Sequence, residues 1–207
     1  SCVKGLWPHQ VAETGSQIIL NNAYHLMLRP DDAAVARRGG CHKFMRWSGP
    51  ILTDSGGYQA YSMAHINRLD EDGVRFRSIV DGAWVDLGPE RSMEVQNNIG
   101  ADIIMAFDDC PPAGDPKDVV GFRKRVTTDG HRGLEHHDRL RDAHERTIRW
   151  LDRCIKAHQR PSEQALFGIV QGGTDLELRA ASVEAICQHD LPGFAVGGVA
   201  VGERPEQ

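Results

Sequence analysis

PILTDSGGYQ, residues Pro50–Gln59, changes character in a single step. Residues suited to a buried strand give way to an aspartate, a serine and two glycines. Four other stretches break in the same way. Gln17–Leu20 stops at Asn21-Asn22, Ala101–Phe107 at Asp108-Asp109, Ala165–Val170 at Gln171-Gly172-Gly173, and Phe194–Val196 at Gly197-Gly198. Short runs rich in Ile and Val, without polar alternation, fit strands covered on both faces of a parallel sheet. Helical patterns lie between them. Pro89 opens a segment carrying Met93, Val95 and Ile99, with proline at the first turn where its missing N–H is harmless. His144–His158 spaces Ile148, Leu151, Cys154 and Ile155 helically, and Asp175 is placed to cap a helix running to about Gln188. Strands alternating with helices predict an α/β fold. A small antiparallel hairpin is expected near residues 73–87, where Val74, Phe76, Trp84 and Val85 flank Asp81-Gly82, a dipeptide suited to a tight turn. No linker or repeat interrupts this order, so residues 1–207 are read as one domain.

Composition narrows the class. Of 207 residues, 40% are apolar and 26% charged, which excludes a disordered chain, a collagen repeat and a coiled coil. No apolar run reaches the roughly 20 residues of a membrane span. The opening SCVKGLWPHQ lacks the charged start and apolar stretch of a signal peptide, so secretion is not expected. The net charge of −5 argues against a protein held to nucleic acid by bulk charge alone. It is unevenly placed, because Gly121–Arg160 holds 11 Lys+Arg against 6 Asp+Glu. Such runs are mostly solvated helix surface, and the histidines His131, His136, His137 and His144 are read with them rather than as a metal site. The five cysteines, Cys2, Cys41, Cys110, Cys154 and Cys187, are scattered and include no C-x-x-C pair. Reduced thiols in the cytoplasm are the simplest expectation, with no metal ligands inside this chain.

The chemistry gathers where the five apolar runs stop, at Asn22, Asp54, Asp108, Gln171 and Gly198. In a (β/α) barrel these points share the C-terminal face, where such enzymes build their sites. Two carboxylates accept from N–H groups, a carboxamide donates and accepts, and free backbone N–H groups donate. Together they suit the edge of a planar heterocycle with amide-like groups, such as a purine. Glycines permit close approach, and Tyr58 and Phe107 are candidates for a stacking face. Taken singly, each has a plainer explanation as a turn, a cap or core. Cys110 has nothing nearby in sequence to lower its pKa and is read as unreactive.

At this point the residues resemble a known family. NNAYHLMLRP, PILTDSGGYQ, PERSMEVQNNIGADIIMAFDDCPP, ALFGIVQGG and GFAVGGVAVGE are similar to bacterial tRNA-guanine transglycosylase, from about Val3 to Glu203, and GVRFRSIVDGAW fits the hairpin region. The resemblance implies a TIM barrel with a zinc subdomain that exchanges guanine at the anticodon wobble position for a 7-deazaguanine. It implies that Asp54 is the catalytic proton acceptor, and that Ser55, Gly56, Gly57 and Tyr58 complete its loop, the Tyr ring lying over the base. Asp108 would read the amidine edge, and Gln171 and the Gly198 N–H would face the carbonyl oxygen. Val199, where a Leu is commoner, would offer its carbonyl toward the 7-substituent. Cys110 and Val201 resemble the bacterial form, which takes the aminomethyl precursor.

The family's nucleophilic aspartate, its tRNA-binding loops and its zinc ligands (three Cys and a His) fall outside this chain, and so do its first strands. With a full (β/α)₈ barrel taking about 250 residues, the expectation is an incomplete barrel, inactive alone, whose intact form binds tRNA, carries structural zinc and is a cytoplasmic homodimer. The stretch 113–145 is longer than the usual bacterial connection and receives no role. Two alternatives stay open: a non-catalytic accessory member that binds tRNA or a partner, and a related transglycosylase acting on archaeal-type tRNA or on DNA.

Overall fold

A computed structural model describes residues 5–59, 66–112 and 135–203. His131 and most of the long 113–145 stretch lie outside these residues. Five parallel strands form one sheet: β1 (Ile19–Asn22), β2 (Ile51–Asp54), β6 (Ile103–Met105), β7 (Ala165–Val170) and β8 (Gly193–Val196), adjacent in that order. Neighbours in the sheet follow one another along the chain, as in an arc of a barrel, and the arc is open. Leu20 on β1 and Val196 on β8, at its two edges, are 67% and 70% exposed.

Among the described residues the helices are α1 (Pro8–Glu13), α2 (Ala23–Leu28), α3 (Asp32–Arg37), α4 (Gly40–Met45), α5 (Pro89–Ile99), α6 (His136–Ala157) and α7 (Leu176–Ile186). On α5 the spaced Met93, Val95 and Ile99 are fully buried, and Gly100, at φ +70°, ends the helix in the left-handed conformation glycine tolerates. Gln96 on the same buried face stitches helix to strand: its Nε2 donates to the Met105 carbonyl at 2.8 Å and its Oε1 accepts from the Met105 N–H at 3.0 Å. Asp175 caps α7, accepting from the Glu177 and Leu178 N–H groups at 3.0 Å each. Side-chain oxygen capping of this kind stabilises a helix by about 1 kcal/mol.

Four sequence expectations change. β1 continues through Asn21 and Asn22 rather than stopping before them, because both amides find partners in the neighbouring elements: Asn21 Oδ1 accepts from Thr53 Oγ1 at 2.6 Å and its Nδ2 donates to Cys41 Sγ at 3.2 Å, and Asn22 Nδ2 donates to Asp54 on β2. The expected hairpin is a three-stranded antiparallel sheet, β3 (Ile66–Asp70), β4 (Gly73–Arg77) and β5 (Trp84–Leu87). Its β4–β5 loop is closed by Ser78 donating to the Ala83 carbonyl at 2.8 Å. Within that loop only Gly82 has positive φ, so Asp81-Gly82 is the end of a longer loop and not a two-residue turn. The helix expected from His144 begins at His136. Finally, its basic face is not simply solvated: Arg139, His144 and Arg146 are buried, for a reason that belongs to the site.

Candidate active site

β1 and β2 are in register with Asn22 opposite Asp54, so the last residues of two strands meet. Asn22 Nδ2 donates to Asp54 Oδ2 at 3.2 Å, and Gln59 Nε2 donates to the same oxygen at 2.9 Å. The other carboxyl oxygen accepts from the Ser55 N–H at 3.1 Å. Three donors thus hold Asp54, partly buried, at the strand end.

The loop behind it needs its glycines. Gly56 has φ +88°, and a Cβ there would lie 2.8 Å from the Tyr24 nitrogen. At Gly57 a Cβ would stand 2.9 Å from the Asp108 carbonyl oxygen and 3.5 Å from its carboxyl Oδ1. The absence of side chains is what lets the Asp54 loop touch the Asp108 loop. Ser55 is buried, and its carbonyl accepts from Ser92 Oγ of α5 at 3.1 Å.

Asp108 follows β6 and is buried. Gln171, directly after β7, donates its Nε2 to Asp108 Oδ2 at 2.6 Å. Burial, with the Asp54 charge adding to it, pushes the Asp108 carboxyl up to about 7 against the lowering effect of the Gln171 bond. Beyond Gln171 comes the turn after β8, where Gly198 has φ +65° and a Cβ would lie 2.7 Å from Gln171 Oε1. Asn22, Asp54, Gly57, Asp108, Gln171 and Gly198 therefore form one continuous polar chain across all five strand ends.

Apolar walls flank this chain. Cys110 and Val201 pack with Tyr58 in a small cluster separate from the main core. Burial pushes the Cys110 thiol up to about 12, the Asp108 charge adding to it, so it is a neutral lining group. Val199 is 51% exposed at the rim. Phe107 does not join Tyr58 as a stacking face. It is fully buried in the main core, its ring centroid 5.0 Å from that of Trp150.

Several site residues had escaped the sequence reading. Gln59 joins the expected Asn22 in fixing Asp54, and Glu203 closes the β8 loop by accepting from the Val201 N–H at 2.8 Å and from the Ala200 N–H. The largest omission is Asp109. Its carboxylate takes a two-pronged contact from Arg139 (Nη2 2.7 Å, Nη1 3.0 Å) and a third from Arg146 Nη1 at 2.6 Å. Thr147 Oγ1 accepts its backbone N–H at 3.1 Å. Burial alone would raise the Asp109 carboxyl, but the two guanidinium groups outweigh it and hold it below the ordinary range. The only sequence signal was the Arg-rich register of α6, which looks like solvated surface until its partner is known. Among the described residues no three His, Cys, Asp or Glu side chains converge as a metal site. None of their helices is long and apolar enough to cross a membrane.

With this geometry in view, the chain was compared with known proteins. A family profile described as Queuine tRNA-ribosyltransferase matches residues 1–207. A protein of that name from Synechococcus elongatus is 49% identical over 206 residues, covering 99% of this chain and 48% of its own length. One from a Nostoc species is 52% identical over 204 residues, covering 99% and 49%. One from Thermus thermophilus is 49% identical over 204 residues, covering 99% and 48%. The chain thus spans about half the length of the curated relatives it matches.

Proposed function

The chain belongs to the queuine tRNA-ribosyltransferase family, and from that membership we propose that the intact protein is a tRNA-guanine transglycosylase whose base pocket is the chain of groups from Asp54 to Gly198. The observation that supports this best is the buried Asp108–Gln171 pair, 2.6 Å apart, beside the Gly198 backbone. A guanine edge presents two N–H donors and a carbonyl acceptor. Asp108 supplies acceptors for the first, and Gln171 Nε2 with the Gly198 N–H supplies donors for the second. Gln171 and Asp108 also bond each other, at 2.6 Å. A wrong edge would leave these buried groups unpaired, which is the strongest form of discrimination available to a polar pocket.

The exchange is proposed as a double displacement. A carboxylate from a part of the protein outside this chain attacks C1′ of the wobble nucleotide and the bond to guanine breaks. The entering 7-deazaguanine then displaces that carboxylate, restoring the original configuration. The first step requires a proton for the leaving base and the second removes one from the entering base. Asp54, partly buried and held by three donors, is proposed to carry it. Ser55, Gly56 and Gly57 shape the floor, Tyr58 stacks on the base, and Cys110, Val199 and Val201 bound the space for a small 7-substituent such as aminomethyl. The protein is further proposed to bind tRNA as a cytoplasmic homodimer, with structural zinc held by residues elsewhere in the intact chain.

The reading is tested by incubating the intact protein with tRNA and labelled guanine. Incorporation is expected, and Asp54→Ala should reduce it by at least about a thousandfold. Normal exchange by that variant would overturn the role given to Asp54. Binding of tRNA without exchange by the unaltered protein would favour a non-catalytic accessory member.

A further inference from the structure

Arg179 lies in the first turn of α7, outside every set of residues given a role so far. Its guanidinium grips three carbonyl groups. Nε donates to the Gly173 oxygen at 2.8 Å, and Nη2 donates to the Gly197 oxygen at 2.9 Å and the Gly198 oxygen at 3.3 Å. The first carbonyl belongs to the turn after β7, and the other two belong to the turn after β8. One planar side chain therefore clasps two adjacent turns of the pocket.

The clasp has a directional consequence. In a planar trans peptide the N–H points opposite to the C=O. The carbonyl of Gly197 and the N–H of Gly198 are two ends of one peptide group. Holding the carbonyl toward α7 sends the Gly198 N–H the other way, where it faces the Cys110 sulfur inside the pocket. The peptides on either side are tied elsewhere, the Gly197 N–H to the Val170 carbonyl at 2.8 Å and the Ala200 and Val201 N–H groups to Glu203, while the Gly197 carbonyl is held by Arg179. Gly172, Gly173 and Gly198 have φ of +128°, +56° and +65°, and glycine runs lose their orientation easily because no Cβ restricts them. Bulk cannot substitute for the clasp either. A Cβ on Gly172 would come within 2.7 Å of the Arg179 backbone nitrogen, and one on Gly198 within 2.7 Å of Gln171 Oε1.

We propose that Arg179 is a positioning residue for base selection: by holding the Gly197–Gly198 peptide, it aims the Gly198 N–H at the carbonyl oxygen of a guanine-type base without touching the base. This rests on the reading of the pocket given above. It also separates the two edges of the base, since the carbonyl edge depends on Arg179 and the amidine edge, facing Asp108, does not.

The test uses the intact protein, Arg179→Ala and Arg179→Lys, with dissociation constants measured calorimetrically for three bases. Guanine is the reference. 6-Thioguanine keeps the amidine edge but replaces the carbonyl oxygen with a weakly accepting sulfur, and hypoxanthine keeps the carbonyl but lacks the 2-amino group. The unaltered protein is expected to prefer guanine to both. Arg179→Ala should shrink the guanine to 6-thioguanine preference by about tenfold, the worth of one well-aimed hydrogen bond. Its guanine to hypoxanthine preference should stay within about twofold, as expected for uncoupled contacts. Lysine, a point donor without the planar fork, should fall between. Equal weakening for all three bases, or an unchanged 6-thioguanine ratio, would overturn the proposal. Should Arg179→Ala not fold, Arg179→Lys is judged by the same ratios. Failure of the unaltered protein to prefer guanine to hypoxanthine would instead sink the underlying reading of the pocket.

Discussion

Asp108 and Asp109 are consecutive, both buried, and treated in opposite ways by the fold. Asp108 looks into the pocket, meets one amide donor and the neighbouring Asp54 charge, and is pushed up to about 7. Asp109 looks toward α6, meets two guanidinium groups and a backbone-fixing threonine, and is held below the ordinary carboxylate range. The difference teaches how a loop can be rigid and reactive at once. One carboxylate is spent as a structural anchor, ionised and saturated. The next is left with unspent accepting capacity, which a ligand with an N–H edge can fill.

Breaking the anchor should have the largest effect. Arg146→Ala removes one partner from a buried charge group and is expected to cost about 3–5 kcal/mol of stability in the intact protein, measured by denaturant unfolding. Replacing Asp109, Arg139 and Arg146 together by apolar residues of similar size should cost less than that single change. A larger loss in the triple variant would mean that the charges stabilise the fold outright, contrary to the anchor role. Asp108→Asn, on the pocket side, should leave stability near normal but lower kcat/KM for base exchange by about a hundredfold or more, because the amide offers one acceptor where the base needs two.

A subtler difference lies in pH dependence. Asp108 has its folded value raised to about 7, above the roughly 3.9 of an unfolded aspartate. Between about pH 4 and about pH 7 the folded state holds this proton and the unfolded state does not, so its contribution to stability falls as pH rises through that window. Asp109 is shifted the other way: its contribution is full above the unfolded value and fades as pH falls through the lower folded one. Unfolding of Asp108→Asn should therefore lack the decline with rising pH that the unaltered protein shows. The smallest effect is expected at Cys110→Ala, a shortening of the pocket wall, with a change in base affinity of about threefold or less read by calorimetry.

The contrast also explains what was legible in the sequence. Apolar runs mark β2, β6, β7 and β8 in the sequence, even at the open edge where Val196 is exposed, and the polar residues at their ends pointed to the site. β3 is different. Its residues 66–70, Ile-Asn-Arg-Leu-Asp, belong to a small sheet and carry no such run. For Phe107 the sequence leaves stacking group and core residue both open, because it does not reveal which way a side chain turns after a strand ends, and here it turns into the core toward Trp150. Arg139 and Arg146 read as surface because burial of an arginine depends on a partner some thirty or more residues away. Arg179 is invisible for the same reason, since the groups it bonds are backbone carbonyls in turns.

The measurement closest to the centre of this account is a carbon-13 NMR titration of the aspartate carboxyl groups in the intact protein, assigned with Asp108→Asn and Asp109→Asn. The resonance lost in Asp108→Asn is expected to titrate at about pH 7, and the one lost in Asp109→Asn to titrate below the ordinary aspartate range. Two resonances titrating together in the ordinary range of 3 to 5 would contradict it.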